Sequence, residues 1–182
     1  MPFVHVDSHQ VSRGDGWESP QRAVRMLRAF VKMIADALVM KGEGDDWLLL
    51  LEDDLVFHPQ IAALVFSWKA LEDSRCGIAS LFNGSIPAIE DWGEMPRAFA
   101  AEPERFLGTQ AILLRRQAAA EVVSHWDKVE GMQSQRMTRI LCEDGPLWIH
   151  RPSLVQHVAS DSSWGGRVTQ ALDFDPEWEP TR

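Results

Sequence analysis

The chain has 182 residues, 45% of them hydrophobic, which is enough to bury one sizeable core, so a single α/β domain over residues 1–171 is expected. A net charge of −9 with no basic run argues against a nucleic-acid groove, since phosphate binding needs clustered Lys and Arg. Only Cys76 and Cys142 occur, not as a CxxC pair, which argues against a disulfide scaffold or a zinc knuckle. Both thiols are expected as ordinary core residues in a reducing cytoplasm, and apolar runs too short to span a bilayer, with no leader pattern, predict no transmembrane segment.

Phe3 to Val6 alternates and reads as a short strand, followed by a polar loop from Asp7 to Glu18. Ser19-Pro20 has the pattern of an N-cap and first-turn proline. From Gln21 to Met40 the apolar positions Val24, Leu27, Phe30, Val31, Ile34, Ala35 and Leu38 keep a helical period, ended by Gly42 and Gly44. Trp47-Leu48-Leu49-Leu50-Leu51 then suits a strand buried on both faces. His58-Pro59 opens a second helical stretch, Ile61 to Leu71, and Gly77 to Phe82 reads as a strand. Asn83 to Phe106 is rich in Pro, Gly and acid, the composition of a long loop of the functional kind. Gln110 to Leu114 is a further expected strand, and Gln117 to Trp126 and Gln133 to Leu141 are expected helices. The acidic tail, residues 172–182, is expected to be loosely held. Alternating strands and helices predict a mostly parallel central sheet flanked by helices. Eight Trp without Tyr could line a sugar site or fill the core, and the core is expected for most.

The chemistry concentrates where Leu51 meets Glu52-Asp53-Asp54. Unpaired carboxylates cannot follow the strand into the core, so they surface at its carboxyl end, where open α/β sheets bind ligands. In an extended chain Glu52 and Asp54 project to one side and Asp53 to the other. Two like charges on one face call for a divalent cation with oxygen ligands. The alternative is a solvated turn whose acids favour the start of the next helix.

Two later segments extend the pattern: Gly108-Thr109-Gln110-Ala111-Ile112-Leu113-Leu114-Arg115-Arg116, and Glu143-Asp144-Gly145-Pro146-Leu147 followed by Pro152-Ser153-Leu154-Val155-Gln156-His157-Val158 and Ser162-Ser163. Together with Leu51-Glu52-Asp53-Asp54, and in this order, they resemble the metal-dependent glycosyltransferases of the GT-A fold. The likeness is to the "LEDD" group of lipooligosaccharide sugar transferases and branching N-acetylglucosaminyltransferases, and it spans roughly Trp47 to Ser163. It implies a Rossmann-like nucleotide-diphospho-sugar transferase that moves a sugar from a nucleotide donor, UDP-sugar favoured, to a hydroxyl of a glycan or glycoconjugate acceptor.

By position, Glu52-Asp53-Asp54 corresponds to the family's DxD-type motif. The resemblance implies that Asp54 ligates Mn²⁺ or Mg²⁺, while Glu52 or Asp53 contacts the donor ribose or holds metal-bound water. It makes His157 a late metal or diphosphate ligand; a satisfied histidine in or near a strand is the other reading. Asp144, with Glu143 as alternate, corresponds to the catalytic base of inverting members, although Glu143-Asp144-Gly145 also has the form of a helix-ending turn. Gly108 would allow close approach of backbone to ligand, or simply enter a strand. Ser162, Ser163 and Trp164 would line the sugar or acceptor pocket. The family carries a longer nucleotide-binding half than the residues ahead of Glu52 can build, so a shortened donor site is expected. A non-catalytic nucleotide- or sugar-binding module of the same fold is therefore the second reading. A two-metal phosphoesterase is the third, and needs more His and Asp ligands than the sequence groups together.

Overall fold

A computed structural model describes residues 20–43, 46–84, 98–99, 108–141, 147–158 and 169–179. Helix α1 runs Pro20–Val39. Its carboxyl end carries no basic residue of its own; instead the Arg116 guanidinium donates to the carbonyls of Leu38 (2.7 Å) and Met40 (2.9 Å), groups a helix terminus leaves unpaired. Strands β1 (Trp47–Leu51) and β2 (Leu55–Phe57) follow, then helix α2 (Ile61–Ser67) and a 3₁₀ turn at Lys69–Glu72. Next come β3 (Ile78–Ser80), β4 (Ala98–Phe99), β5 (Ala111–Arg115), α3 (Arg116–His125) and α4 (Gln133–Leu141). Strands β6 (Leu147–Ile149) and β7 (Val155–His157) complete the order. The expected first strand, Phe3 to Val6, lies outside the described residues.

The main sheet has the order β1-β5-β3-β6-β4. It is mixed, which corrects the expectation of a mostly parallel sheet. Strands β3 and β6 pair parallel, whereas β5 pairs antiparallel with both β1 and β3, and β4 antiparallel with β6. Strands β1, β3 and β6 thus share one direction. The reason lies in the connection from Ser80 to Ala111. It starts and ends at the same edge of the sheet, with Ser80 opposite Ile112, so the chain must return antiparallel. Alternation of element types carries no information on which edge a long loop re-enters.

The uninterrupted apolar runs behave as two-faced strands should. Leu48, Leu50, Ile78, Ile112, Leu114, Leu147 and Ile149 face α1, α3 and α4 around Ile34, Val122, Trp126 and Met137. Their alternates Trp47, Leu49, Ala79, Ala111, Leu113 and Trp148 join Leu64, Val65, Trp68, Leu154 and Val155 in a second core on the opposite face. All five described tryptophans, Trp47, Trp68, Trp126, Trp148 and Trp178, belong to one core or the other.

The tail departs from expectation up to residue 179. Ala171 is buried, and Phe174 and Trp178 pack on the second core. Asp173 accepts hydrogen bonds from the Ser153 backbone (3.2 Å) and hydroxyl (2.5 Å), and the Trp178 carbonyl lies 3.1 Å from His58 Nε2. Negative charge and prolines argued for a loose end; the two aromatic rings and one well-placed carboxylate outweigh them.

Candidate metal centre

Four connections meet at one edge of the main sheet. Glu52-Asp53-Asp54 follows β1, Leu81 to Gly84 follows β3, His150 to Leu154 follows β6, and Gly108 to Gln110 precedes the antiparallel β5. This is the carboxyl edge of β1, β3 and β6, the side on which open α/β sheets bind ligands. Ser80 helps turn the chain outward: its hydroxyl donates to the Phe82 carbonyl (2.7 Å) and accepts from the Phe82 N–H (3.2 Å).

A small antiparallel ribbon, β2 with β7, brings the acids to His157. Leu55 lies opposite His157, and the Val158 N–H donates to the Asp54 carbonyl (3.0 Å). Asp54 Oδ2 is 3.0 Å from His157 Nε2, and Glu52 Oε2 is 3.9 Å from the same nitrogen. One ligand atom from each of Glu52, Asp54 and His157 lies within 4.8 Å of the others, the one such group among the described residues. Asp53 is exposed, as expected of the carboxylate that points the other way.

The site is only partly open. His157 is 7% exposed at its side chain, while Glu52 and Asp54 keep 35% and 37%. Thr109 donates its hydroxyl to Glu52 Oε1 (2.8 Å), and the Glu52 N–H donates to the Gln110 carbonyl (2.9 Å), so the segment entering β5 fixes this carboxylate. Burial pushes the Glu52 carboxyl above its ordinary range; the charges of Asp54 and Asp53 add to this, against the Thr109 hydrogen bond and His157. Asp54 Oδ1 is buried and has no hydrogen-bond partner. Such an orphan is costly unless a ligand completes it. A cation fits it: two carboxylates and one imidazole form a mixed oxygen–nitrogen donor set that suits Mn²⁺ better than Mg²⁺.

The amide oxygens of Asn83 and Gln110, on the same edge, are likewise buried without partners. Gly108 has φ +133°, and a Cβ there would meet Gln110 Oε1 at 2.3 Å. Glycine is required by conformation as well as by space.

Of the residues singled out by sequence, Glu52, Asp54 and His157 come together, with Gly108 one residue from the Thr109 that holds Glu52. Glu143, Asp144, Ser162, Ser163 and Trp164 lie outside the described residues. Sequence reasoning missed Thr109 as a contributor, although its place beside Gly108 at the entry to an expected strand was a usable signal. No protein-family model matches the chain, and no curated protein is similar to it. No helix of the described residues is long and apolar enough to cross a membrane.

Proposed function

We propose that the chain is a metal-dependent glycosyltransferase that moves a sugar from a nucleotide-sugar donor, a UDP-sugar in first place, to a hydroxyl of a glycan or glycoconjugate. The observation that carries this reading is the convergence of Glu52, Asp54 and His157, with Asp54 Oδ1 buried and unpaired, at the carboxyl edge of β1, β3 and β6. Asp54, Glu52 and His157 would hold Mn²⁺ or Mg²⁺. When bound, the cation neutralises charge on the leaving nucleoside diphosphate. Thr109 orients Glu52 for that role, and Asp53, exposed beside it, would contact the donor ribose. Asn83 and Gln110 offer acceptors to hydroxyl groups, which favours a sugar over an apolar ligand. Gly108 lets the backbone approach the donor closely. Ser162, Ser163 and Trp164 would line the sugar pocket. Asp144, or Glu143, would take the proton from the acceptor hydroxyl as it attacks, which favours inversion.

Thermal melting with UDP, GDP and Mn²⁺, singly and combined, tests this. A ligand at ~100 times its dissociation constant adds about 2.7 kcal/mol, a rise of roughly 5–10 °C in Tm for a chain of this length. Stabilisation that needs UDP and Mn²⁺ together is the expected result. No shift with either nucleotide, metal present, would overturn the donor assignment. Binding without sugar transfer to any hydroxyl acceptor would instead favour the non-catalytic module.

A further inference from the structure

We infer that the segment around Thr169 to Asp173 is part of the metal centre: the Thr169 carbonyl fixes the ring of His157, and Gln156 and Asp173 are the positioning residues that hold that carbonyl in place. The inference rests on reading Glu52, Asp54 and His157 as metal ligands.

His157 Nδ1 lies 3.2 Å from the Thr169 carbonyl oxygen. A carbonyl can only accept, so Nδ1 must carry the proton of that hydrogen bond. The neutral ring then has its lone pair on Nε2, the nitrogen that faces Asp54 Oδ2 at 3.0 Å and Glu52 Oε2 at 3.9 Å. With the ring neutral, three electron-rich atoms directed at one another repel unless a metal ion, or a proton shared between Nε2 and Asp54, lies between them. Thr169 thus selects the tautomer able to ligate a metal, the role that backbone carbonyls play behind metal-bound histidines.

Nothing in regular secondary structure holds Thr169. The segment is held by side chains instead. Gln156 Oε1 accepts from the Ala171 N–H (2.8 Å) and from the His157 N–H (3.0 Å), while Gln156 Nε2 donates to the Ala171 carbonyl (3.0 Å). One amide therefore ties the backbone of His157 to the chain two residues beyond its carbonyl partner. The two N–H donors also settle which end of the amide is oxygen. Two residues further on, Asp173 Oδ1 takes the Ser153 N–H and hydroxyl, with Arg151 Nε 3.8 Å from Oδ2. Ser153, fully buried, donates or accepts on both sides: its oxygen also receives the Asn83 N–H (2.9 Å). The Thr169 carbonyl is therefore clamped by Gln156, in the strand that carries His157, and through Asp173 by Ser153, just ahead of that strand.

The test uses the full chain with histidine rings labelled with ¹⁵N, free of metal, at about pH 9, well above the usual histidine range. Wild type is expected to show His157 protonated at Nδ1 and bare at Nε2. In Gln156→Leu the ring should become a mixture of tautomers, and Mn²⁺ affinity should fall about 10- to 100-fold, as for other residues that orient metal-bound histidines. Asp173→Ala should change both in the same direction, and Asp173→Asn, whose Oδ1 still accepts from Ser153, should restore them. Should Gln156→Leu not fold, the Asp173 pair gives the same comparison. Wild-type ring signals and wild-type Mn²⁺ affinity in folded Gln156→Leu or Asp173→Ala would overturn the inference. A wild type that shows the Nδ1–H tautomer, lost in the variants, but takes up no Mn²⁺ would uphold the clamp and sink the metal reading, so the two failures are distinct.

Discussion

Glu52 shows why the centre is poised for a cation. Burial first, and then the neighbouring acids, raise its carboxyl above the ordinary 4.5, so the native metal-free chain binds that proton more tightly than the unfolded chain does. Stability therefore falls as pH rises from about 4.5 through the raised value, and stays lower above it. A bound cation cancels this penalty. Glu52→Gln should consequently melt higher than wild type at neutral pH without metal, yet lose most of the Mn²⁺-dependent rise in Tm; melts with and without Mn²⁺ read both effects. A metal-free Tm at or below wild type would show that the carboxylate is not under strain. Thr109→Val removes only the hydroxyl that orients Glu52. It should weaken Mn²⁺ binding by about 10-fold or more in a titration, with the fold intact. Asp54→Asn removes the charge at the orphaned oxygen and should abolish the Mn²⁺ shift.

At the level of elements, what was legible in the sequence was what burial dictates. Trp47 to Leu51 reads as a two-faced strand because every residue is apolar, and Glu52 and Asp54 read as partners because acids at a strand end must surface together. Helix α1 was legible from its apolar period, and its end from Gly42, although Arg116 supplies the cap from 78 residues away, beyond any local rule. Strands β2 and β7 were not legible: three residues each, with β2 largely exposed, they form only because they pair with each other across a hundred residues. Strand direction in the main sheet was likewise a tertiary property. The clamp on Thr169 depends on single polar contacts that leave no periodic trace. Gly108 belongs to this scale, since its backbone turns the chain into β5. With φ at +133°, Gly108→Ala should cost about 1–3 kcal/mol in urea unfolding. It should also weaken Mn²⁺ binding, because Thr109 is the next residue. An unchanged unfolding midpoint would mean that the turn relaxes without glycine.

For the whole molecule, the docked end of the chain and the second core set the response to acid. His150 packs edge-on against Trp68 (4.9 Å between ring centres) and Trp178 (5.9 Å), and its Nδ1 lies 2.7 Å from the Pro152 carbonyl. Burial holds its pKa below the usual 6.5, against the Pro152 hydrogen bond and the Asp173 charge, with His58 adding to the depression. The unfolded chain takes up a proton that the native ring refuses, so stability falls as pH drops below about 6.5 and levels off once the native ring titrates. Glu52 acts in the opposite sense above 4.5, so in wild type its slope opposes that of His150. Asp73, held at about 2 chiefly by its hydrogen bonds from Arg75, contributes only below 3.8, outside this window. Unfolding of the metal-free Glu52→Gln protein between about pH 5 and 7.5 should therefore expose the His150 slope alone, with stability lost on the acid side. Adding His150→Asn, which keeps an N–H for the Pro152 carbonyl but cannot titrate, should flatten the profile and lower stability at neutral pH through the lost ring packing. A profile that stays steep in the double variant would place the acid sensitivity elsewhere than under Trp178.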